Sequence, residues 1–368
     1  MMPKVCIFCG KRPTEKNREH VIPKWLIALT GKPNRKVYLG RNWSDPNLTK
    51  RIFSLGSFTF PSCETCNTKY SLLESRASQV MRSLLALAPT SADDFDVLLD
   101  WFDKVRVGLW LGLVYLNGNH QEISAQFHIG DRLAARDRLL FIYRDQGELD
   151  GIAITGVESP IFQVMPSCFG LMVNHLHFLN ASGQDLLSER IGFPYTTNRQ
   201  LCREKEGFTA DIVAGTERRA LPLVQLRIAG GGTELYQPMI PSGVPRNEAN
   251  EEYDSEFVRT HCVDFLNGRG HVFRLDDQKL EQYPQTSSAE WVPPQALSKL
   301  RAFSEVTLMT GEWLDTLYAD LPGMDNLLPE QVEFIDKTSA SIRKLHATMM
   351  DHVKKQIASA TGVERLNL

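Results

Sequence analysis

The chain has 368 residues, enough for two or three domains that each bury a core of their own. Its composition, 42% hydrophobic and 23% charged without a low-complexity tract, excludes a disordered or fibrous protein, and its longest strongly apolar run, residues 107–116, is about half of what a bilayer-spanning helix needs. The net charge of −3 hides a split: residues 1–82 carry 15 Lys and Arg against 5 Asp and Glu, a surplus of +10 that leaves −13 to the remainder.

A basic segment on an acidic body is the electrostatic outline of a nucleic-acid-binding module, because phosphate contacts dominate such affinity. The chain opens on Cys6 and Cys9 followed by charges, not on a basic-then-apolar leader, which predicts a cytoplasmic protein outside the membrane.

In chain order, residues 5–10 read as a short strand bent by the Cys-x-x-Cys-Gly step. Residues 31–60 are rich in Lys, Arg, Asn and turn formers, then run into a strand over 51–60 that Pro61 ends. Helical spacing of Leu72, Leu73, Val80, Leu84 and Leu85 predicts a helix over 63–87. After a turn at 89–92, Asp93 and Asp94 offer negative charge to the start of a helix reaching Leu116. Its polar residues Asp96, Asp100, Asp103 and Lys104 share one face, and Leu98, Leu99, Phe102 and Val105 another.

Between residues 120 and 275, short β-like stretches (139–143, 170–179, 224–228) alternate with Gly, Pro and Asn, and the Pro- and acid-rich passage 238–254 reads as a long exposed loop. Helices return at 295–320 and 329–359. Pro329 stands where a helix start tolerates it, and Ile335, Ile342, Leu345, Met349 and Val353 form a seam. No internal repeat is present. The expected fold class is α+β, with an N-terminal module over 1–88 and a larger mixed α+β domain over 89–368 that ends in long helices.

Seven cysteines fall as two C-x-x-C pairs, Cys6/Cys9 and Cys63/Cys66, and three single residues, Cys168, Cys202 and Cys262. The odd count fits a reducing compartment and a metal site better than a disulfide framework. A tight turn puts the first and fourth residues of each pair side by side, so the four thiolates make a closed tetrahedral zinc site. Such a staple would hold a segment too small and polar to fold well alone. Between the two half-sites lies Glu19-His20-Val-Ile-Pro23, and Asn67 follows the last cysteine directly.

These residues, about 5–85, resemble the HNH endonuclease family, whose layout is C-x-x-C, an acid-His pair, then C-x-x-C followed by His or Asn. The wording Glu-His-Val-Ile-Pro-Lys-Trp is similar to that of bacterial HNH proteins with a long additional domain, often found in anti-phage or mobile-element settings. The resemblance implies a zinc-stapled ββα-metal, treble-clef-like fold and hydrolysis of phosphodiester bonds in DNA. It assigns His20 as the general base that activates water. Glu19 and Asn67 would hold a second metal, Mg²⁺ or another divalent cation, that polarises the phosphate.

Two positions depart from the pattern. Phe58 stands where the family carries a polar residue that orients the base, so Ser57, Thr59 or Asn47 would substitute, and Glu replaces the commoner Asp at position 19. Glu74, two helical turns after Asn67, lies on the same helix face to complete the metal site or orient a ligand, or else is a solvated charge. Lys11, Arg12, Lys16, Arg18, Lys24, Arg35, Lys36, Arg41, Lys50 and Arg51 are candidates for phosphate contact, with Trp25 and Trp43 for stacking or core.

The alternative from another class is a non-catalytic zinc module that binds nucleic acid or a protein partner; a third is a brace for an enzymatic C-terminal domain. The larger domain is expected to supply specificity, regulation or assembly, a regulatory ligand or protein partner being among the options. His175 and His177 read as one face of a strand, Gly230–Gly232 as a turn without the spacing of a phosphate-binding loop, and the single cysteines as small buried residues.

Overall fold

The structure, a computed structural model, describes residues 5–13, 17–41, 50–116, 129–147, 150–202, 207–217, 232–240, 256–276, 279–293, 295–319 and 329–366. Trp43, Asn47, Lys16, the 224–228 stretch, Gly230 and Gly231, and most of the 238–254 passage lie outside these residues.

Its first strand, Asn17–His20 (β1), has little intrinsic strand propensity and no alternating pattern. It is followed by the helix Lys24–Leu29 (α1) and by the hairpin of Lys36–Arg41 (β2) and Lys50–Ser54 (β3). The expected strand over 51–60 is thus broken: a 3-10 turn over Leu55–Ser57 separates β3 from Thr59–Ser62 (β4), which pairs antiparallel with β1. Pro61 lies inside β4, not at its end. It faces Arg18 across a two-stranded ladder that has no further strand to need its missing N–H. Residues 5–10 form a turn, not a strand, with Gly10 in the left-handed region at φ 70°.

Two long helices follow, Glu64–Leu85 (α2) and Ala92–Leu116 (α3). Tyr70, Ala77, Val80, Met81 and Leu84 form the buried side of α2, while Leu72, expected on that seam, is 66% exposed. The turn between the helices, where the expected domain boundary falls, is clasped by the distant chain: the Trp291 indole donates to Ala88 O at 2.8 Å, and Thr90 bridges Ala289.

The sheet that α3 packs against has eight strands, introduced here in chain order: Asp137–Asp145 (β5), Ile152–Thr155 (β6), Cys168–Val173 (β7), Leu176–Gly183 (β8), Thr233–Gln237 (β9), Phe273–Asp276 (β10), Lys279–Gln282 (β11) and Ala296–Leu297 (β12). Their order is β11-β10-β9-β5-β8-β7-β6, antiparallel throughout, with β12 parallel to β5. The expected stretch 170–179 is two strands joined by a turn in which Asn174 takes φ 54°. His175 therefore lies in the turn, not on a strand face with His177. The latter is buried on β8, its Nε2 2.6 Å from Asp145 Oδ2, so the two histidines make no paired face.

Alternation on the strands gives the sheet two apolar faces, and each buries a helix. Phe102 of α3 packs its ring, tilted, against Phe169 and Phe178. On the opposite face Phe141 meets Trp313, and Tyr143 donates to Met309 Sδ at 3.3 Å, both partners lying on the helix Lys299–Ala319 (α4). The last helix, Pro329–Leu366 (α5), begins at its proline as expected and packs antiparallel on α4. His346 and Met350 make its buried contacts, and Leu345, expected in the seam, is 47% exposed. Among the described residues no helix is long and apolar enough to cross a membrane. Among the described residues, all the buried apolar side chains but Met239 and Met350 form one cluster running from Cys6 to Tyr318.

The acidic stripe of α3 faces the interior, not solvent. Arg138 of β5, fully buried, donates to Asp96, Asp100 and Asp103, with Gln237 on its other side. Arg269 adds contacts of 2.6 Å to Asp96 and 2.7 Å to Asp100, and Arg106 pairs with Asp103 at 2.6 Å. Burial works to raise the Asp100 carboxyl, but Arg138 and Arg269 outweigh it and hold it below its ordinary value. The stability this carboxylate contributes is present above the ordinary carboxylate range and is lost as pH falls through its lowered pKa. Replacing Arg138→Met leaves three acids without their shared partner, which is expected to cost about 3–5 kcal/mol at pH 7 in chemical denaturation, with the deficit shrinking at acidic pH.

Candidate functional site

Two turns bring four thiols together. In the first, Gly10 N donates to Cys6 O at 2.9 Å and Cys6 N to Lys11 O at 2.8 Å, folding Cys6 and Cys9 onto one side. In the second, Cys63 caps the N-terminus of α2 and Cys66 sits in its first turn. Ile7 N donates to Pro61 O at 3.0 Å, which ties the first turn to the strand leading into the second. All four Sγ atoms lie within 4.8 Å of one another, Cys9 and Cys63 at 3.9 Å. Tetrahedral zinc with bonds of ~2.3 Å sets its sulfurs ~3.8 Å apart, so the four cysteines fit a structural metal such as zinc. The Cys66 backbone N–H lowers the Cys63 pKa to about 7, whereas burial raises those of Cys9 and Cys66, so a bound cation is what would hold all of them as thiolates.

Beside this centre, β1 carries Glu19 and His20 on alternate faces, Glu19 opposite Phe60 and His20 opposite Thr59. His20 is half-buried. Burial first, then Lys24 and Lys104, push its pKa below the ordinary value, against an opposing hydrogen bond to the Gly56 backbone. The ring is thus held neutral near pH 7. Asn67, in the first turn of α2, accepts from Ser62 Oγ at 3.5 Å, and Ser62 faces Asn17 across the β1–β4 ladder. Of the residues expected to replace an orienting amide, Thr59 stands opposite His20, while Ser57 donates to Ser54 O at 2.7 Å.

Phe58 has a packing role. Its ring lies on Gly112 of α3 so closely that a β-carbon there would meet Phe58 Cζ at 1.8 Å; one turn earlier, a β-carbon on Gly108 would contact Val21 at 3.4 Å. Gly108 and Gly112 thus let α3 seat directly on the residues that follow β1 and precede β4, the N-terminal part that also carries the β2–β3 hairpin and is termed the hairpin unit. Lys104, one further turn back on that same side of α3, leaves the acidic stripe and reaches Glu19 Oε1 at 2.5 Å and Glu74 Oε1. The second oxygen of Glu74 accepts the indoles of Trp25 at 2.5 Å and Trp101 at 3.3 Å. Burial works against the Lys104 ammonium, but Glu74 and Glu19 outweigh it and its pKa stands above ordinary. For Glu19, burial prevails over Lys104 and raises the pKa.

The structure therefore brings Glu19 together with Glu74, through Lys104, and seats Asn67 beside Ser62. Glu74 is not a solvated charge. As arranged, the carboxylate pair fits an ammonium and not a divalent cation as well: like unit charges roughly 4 Å apart repel by about 4 kcal/mol at an effective dielectric near 20, and a dication doubles this. Lys104 is the site residue that the sequence reading missed, because it was grouped with the acidic stripe of its own helix and its partners lie 85 and 30 residues away.

Among the basic candidates, Lys11, Arg12, Arg18, Lys24 and Lys36 are exposed. Arg35 instead turns back on the end of α1, donating to Ile27 O at 3.2 Å and Lys32 O at 3.0 Å. Trp25 is held against Glu74 and Trp101, partly buried at the edge of the core. Comparisons with family models, with curated proteins and with solved structures found no match to this chain.

Metal analysis of the purified protein is expected to give one zinc per chain. Cys66→Ser should abolish it and lower the melting temperature, because metal binding at such a site is folding free energy, on the order of 10 kcal/mol in small zinc domains. Unchanged metal content in that variant would rule out the four-thiolate centre.

Proposed function

We propose that residues 5–85 form an HNH-type, treble-clef-like nuclease module that hydrolyses phosphodiester bonds in DNA, under the control of the larger domain. The observation that carries this reading is His20: a half-buried imidazole whose pKa is lowered by burial first and then by Lys24 and Lys104, on strand β1 next to a metal-stapled helix start. A neutral imidazole accepts a proton from water as the water oxygen bonds to phosphorus and the P–O3′ bond breaks, the departing O3′ taking a proton from solvent water. Arg18 and Lys24, exposed and close enough to act on its charge, supply positive field there, and the exposed Lys11 and Arg12 belong to the same N-terminal unit, as a phosphate backbone requires. The zinc would fix the start of α2 and take no part in the chemistry.

A second reading is favoured by one contact. Because Lys104 already neutralises Glu19, the module would bind nucleic acid or a protein partner without cutting. Nicking of supercoiled plasmid in Mg²⁺ or Mn²⁺ buffers separates the two. Wild type should nick, and His20→Ala should be slower by about 100-fold or more, the usual worth of a general base. Because the His20 pKa is lowered, the acidic limb of the wild-type rate should have its midpoint below pH 6.5. Equal rates for the two proteins, with salt-sensitive DNA binding retained, would establish the non-catalytic module instead.

A further inference from the structure

We infer that Lys104 is an internal cation latch: its ammonium holds the Glu19–Glu74 carboxylate pair and weakens, without abolishing, divalent-cation binding at Glu19. The biological meaning of the latch rests on the nuclease reading; its existence does not.

Three observations carry it. The ammonium and a divalent ion compete for one oxygen, since Lys104 Nζ lies 2.5 Å from Glu19 Oε1 and a bound Mg²⁺ would need that carboxylate at about 2.1 Å. Glu74 is built to retain the ammonium: Oε2 is occupied by the Trp25 and Trp101 indoles, which leaves Oε1 aimed at Lys104. The pair is also secluded, with the Lys104 side chain 2% exposed and each glutamate 13% exposed.

The position of the ammonium is set by the larger domain. Lys104 shares its side of α3 with Gly108 and Gly112, which seat Val21 and Phe58 of the hairpin unit. The acidic stripe of the same helix is pinned to Arg138 of the sheet and to Arg269. A shift of α3 relative to the hairpin unit would therefore move Lys104 relative to Glu19. A ligand or partner acting on the sheet domain has in α3 a rigid path to the carboxylate.

Mn²⁺ titration of the full-length, zinc-loaded protein without nucleic acid, read by loss of the free-ion electron paramagnetic resonance signal, tests the latch directly. Lys104→Met is expected to tighten Mn²⁺ binding by at least about tenfold over wild type, and adding Glu19→Gln should remove the gain. Should the single variant fold poorly, the Lys104→Met, Glu74→Gln double variant removes the unpaired charge at position 74 while leaving Glu19 free, and the same tightening is expected. Equal affinity in wild type and the folded variant, or a gain that survives Glu19→Gln, would overturn the inference. Tighter Mn²⁺ binding without plasmid nicking by the Lys104 variant would leave the latch standing and remove the nuclease reading.

Discussion

Helix α3 enters the interior on every side, and the charges it carries there must all be paired. An isolated buried ion is too costly to keep, so Asp96, Asp100, Asp103, Lys104 and Arg106 each dictate what stands opposite. The acids recruit Arg138 and Arg269, Asp103 and Asn180 receive Arg106, and Lys104 takes Glu19 and Glu74. These pairs fix α3 in both rotation and height between the sheet and the hairpin unit. An apolar helix of the same length would have more freedom to slide, because burial alone is non-directional.

The hairpin unit has a different source of order. Its strands β1 and β4 are four residues each, and a two-stranded ribbon of that length is at best marginal in water. Two constraints compensate. The four-cysteine cluster, with a metal bound, would clamp the first turn to the start of α2, and Phe58 and Val21 close onto the glycines of α3. The first turn is held from the body as well, where Ile129 N and Gly130 N donate to Ile7 O and Phe8 O at 2.9 and 3.0 Å. The N-terminal unit is thus stapled internally and docked externally, and its apolar contacts continue into the core of the larger domain.

What the sequence disclosed followed from the range of each signal. The cysteine pairs, the spans of α2 and α3, and the proline at the head of α5 depend on residues a few positions apart, and these are where reading and structure agree. Strand β1 was not legible, because Asn-Arg-Glu-His owes its extended form to β4, more than forty residues on. The acidic stripe of α3 was misread as a separate polar face shared by Lys104. A helical wheel shows which residues share a side but not whether that side meets water or Arg138. Leu72 and Leu345 fail in the opposite sense: they are apolar by type yet exposed by angle, since the buried sides of α2 and α5 run through Ala77 and Met81, and through His346 and Met350.

Phe58 and Lys104 are best understood together. At the position where the resembled family holds a polar orienting side chain, this chain has an aromatic ring that docks α3. Two turns back along that helix comes the ammonium that meets Glu19. Had position 58 been polar, the Gly112 notch would have no ring to receive, and the register that delivers Lys104 to the carboxylate would lose its nearest anchor. The substitution that departs from the expected site and the cation that alters its charge are therefore two ends of one helix contact. Whatever chemistry His20 performs, the state of the adjacent carboxylate is decided by a helix that belongs as much to the sheet domain as to the module it touches.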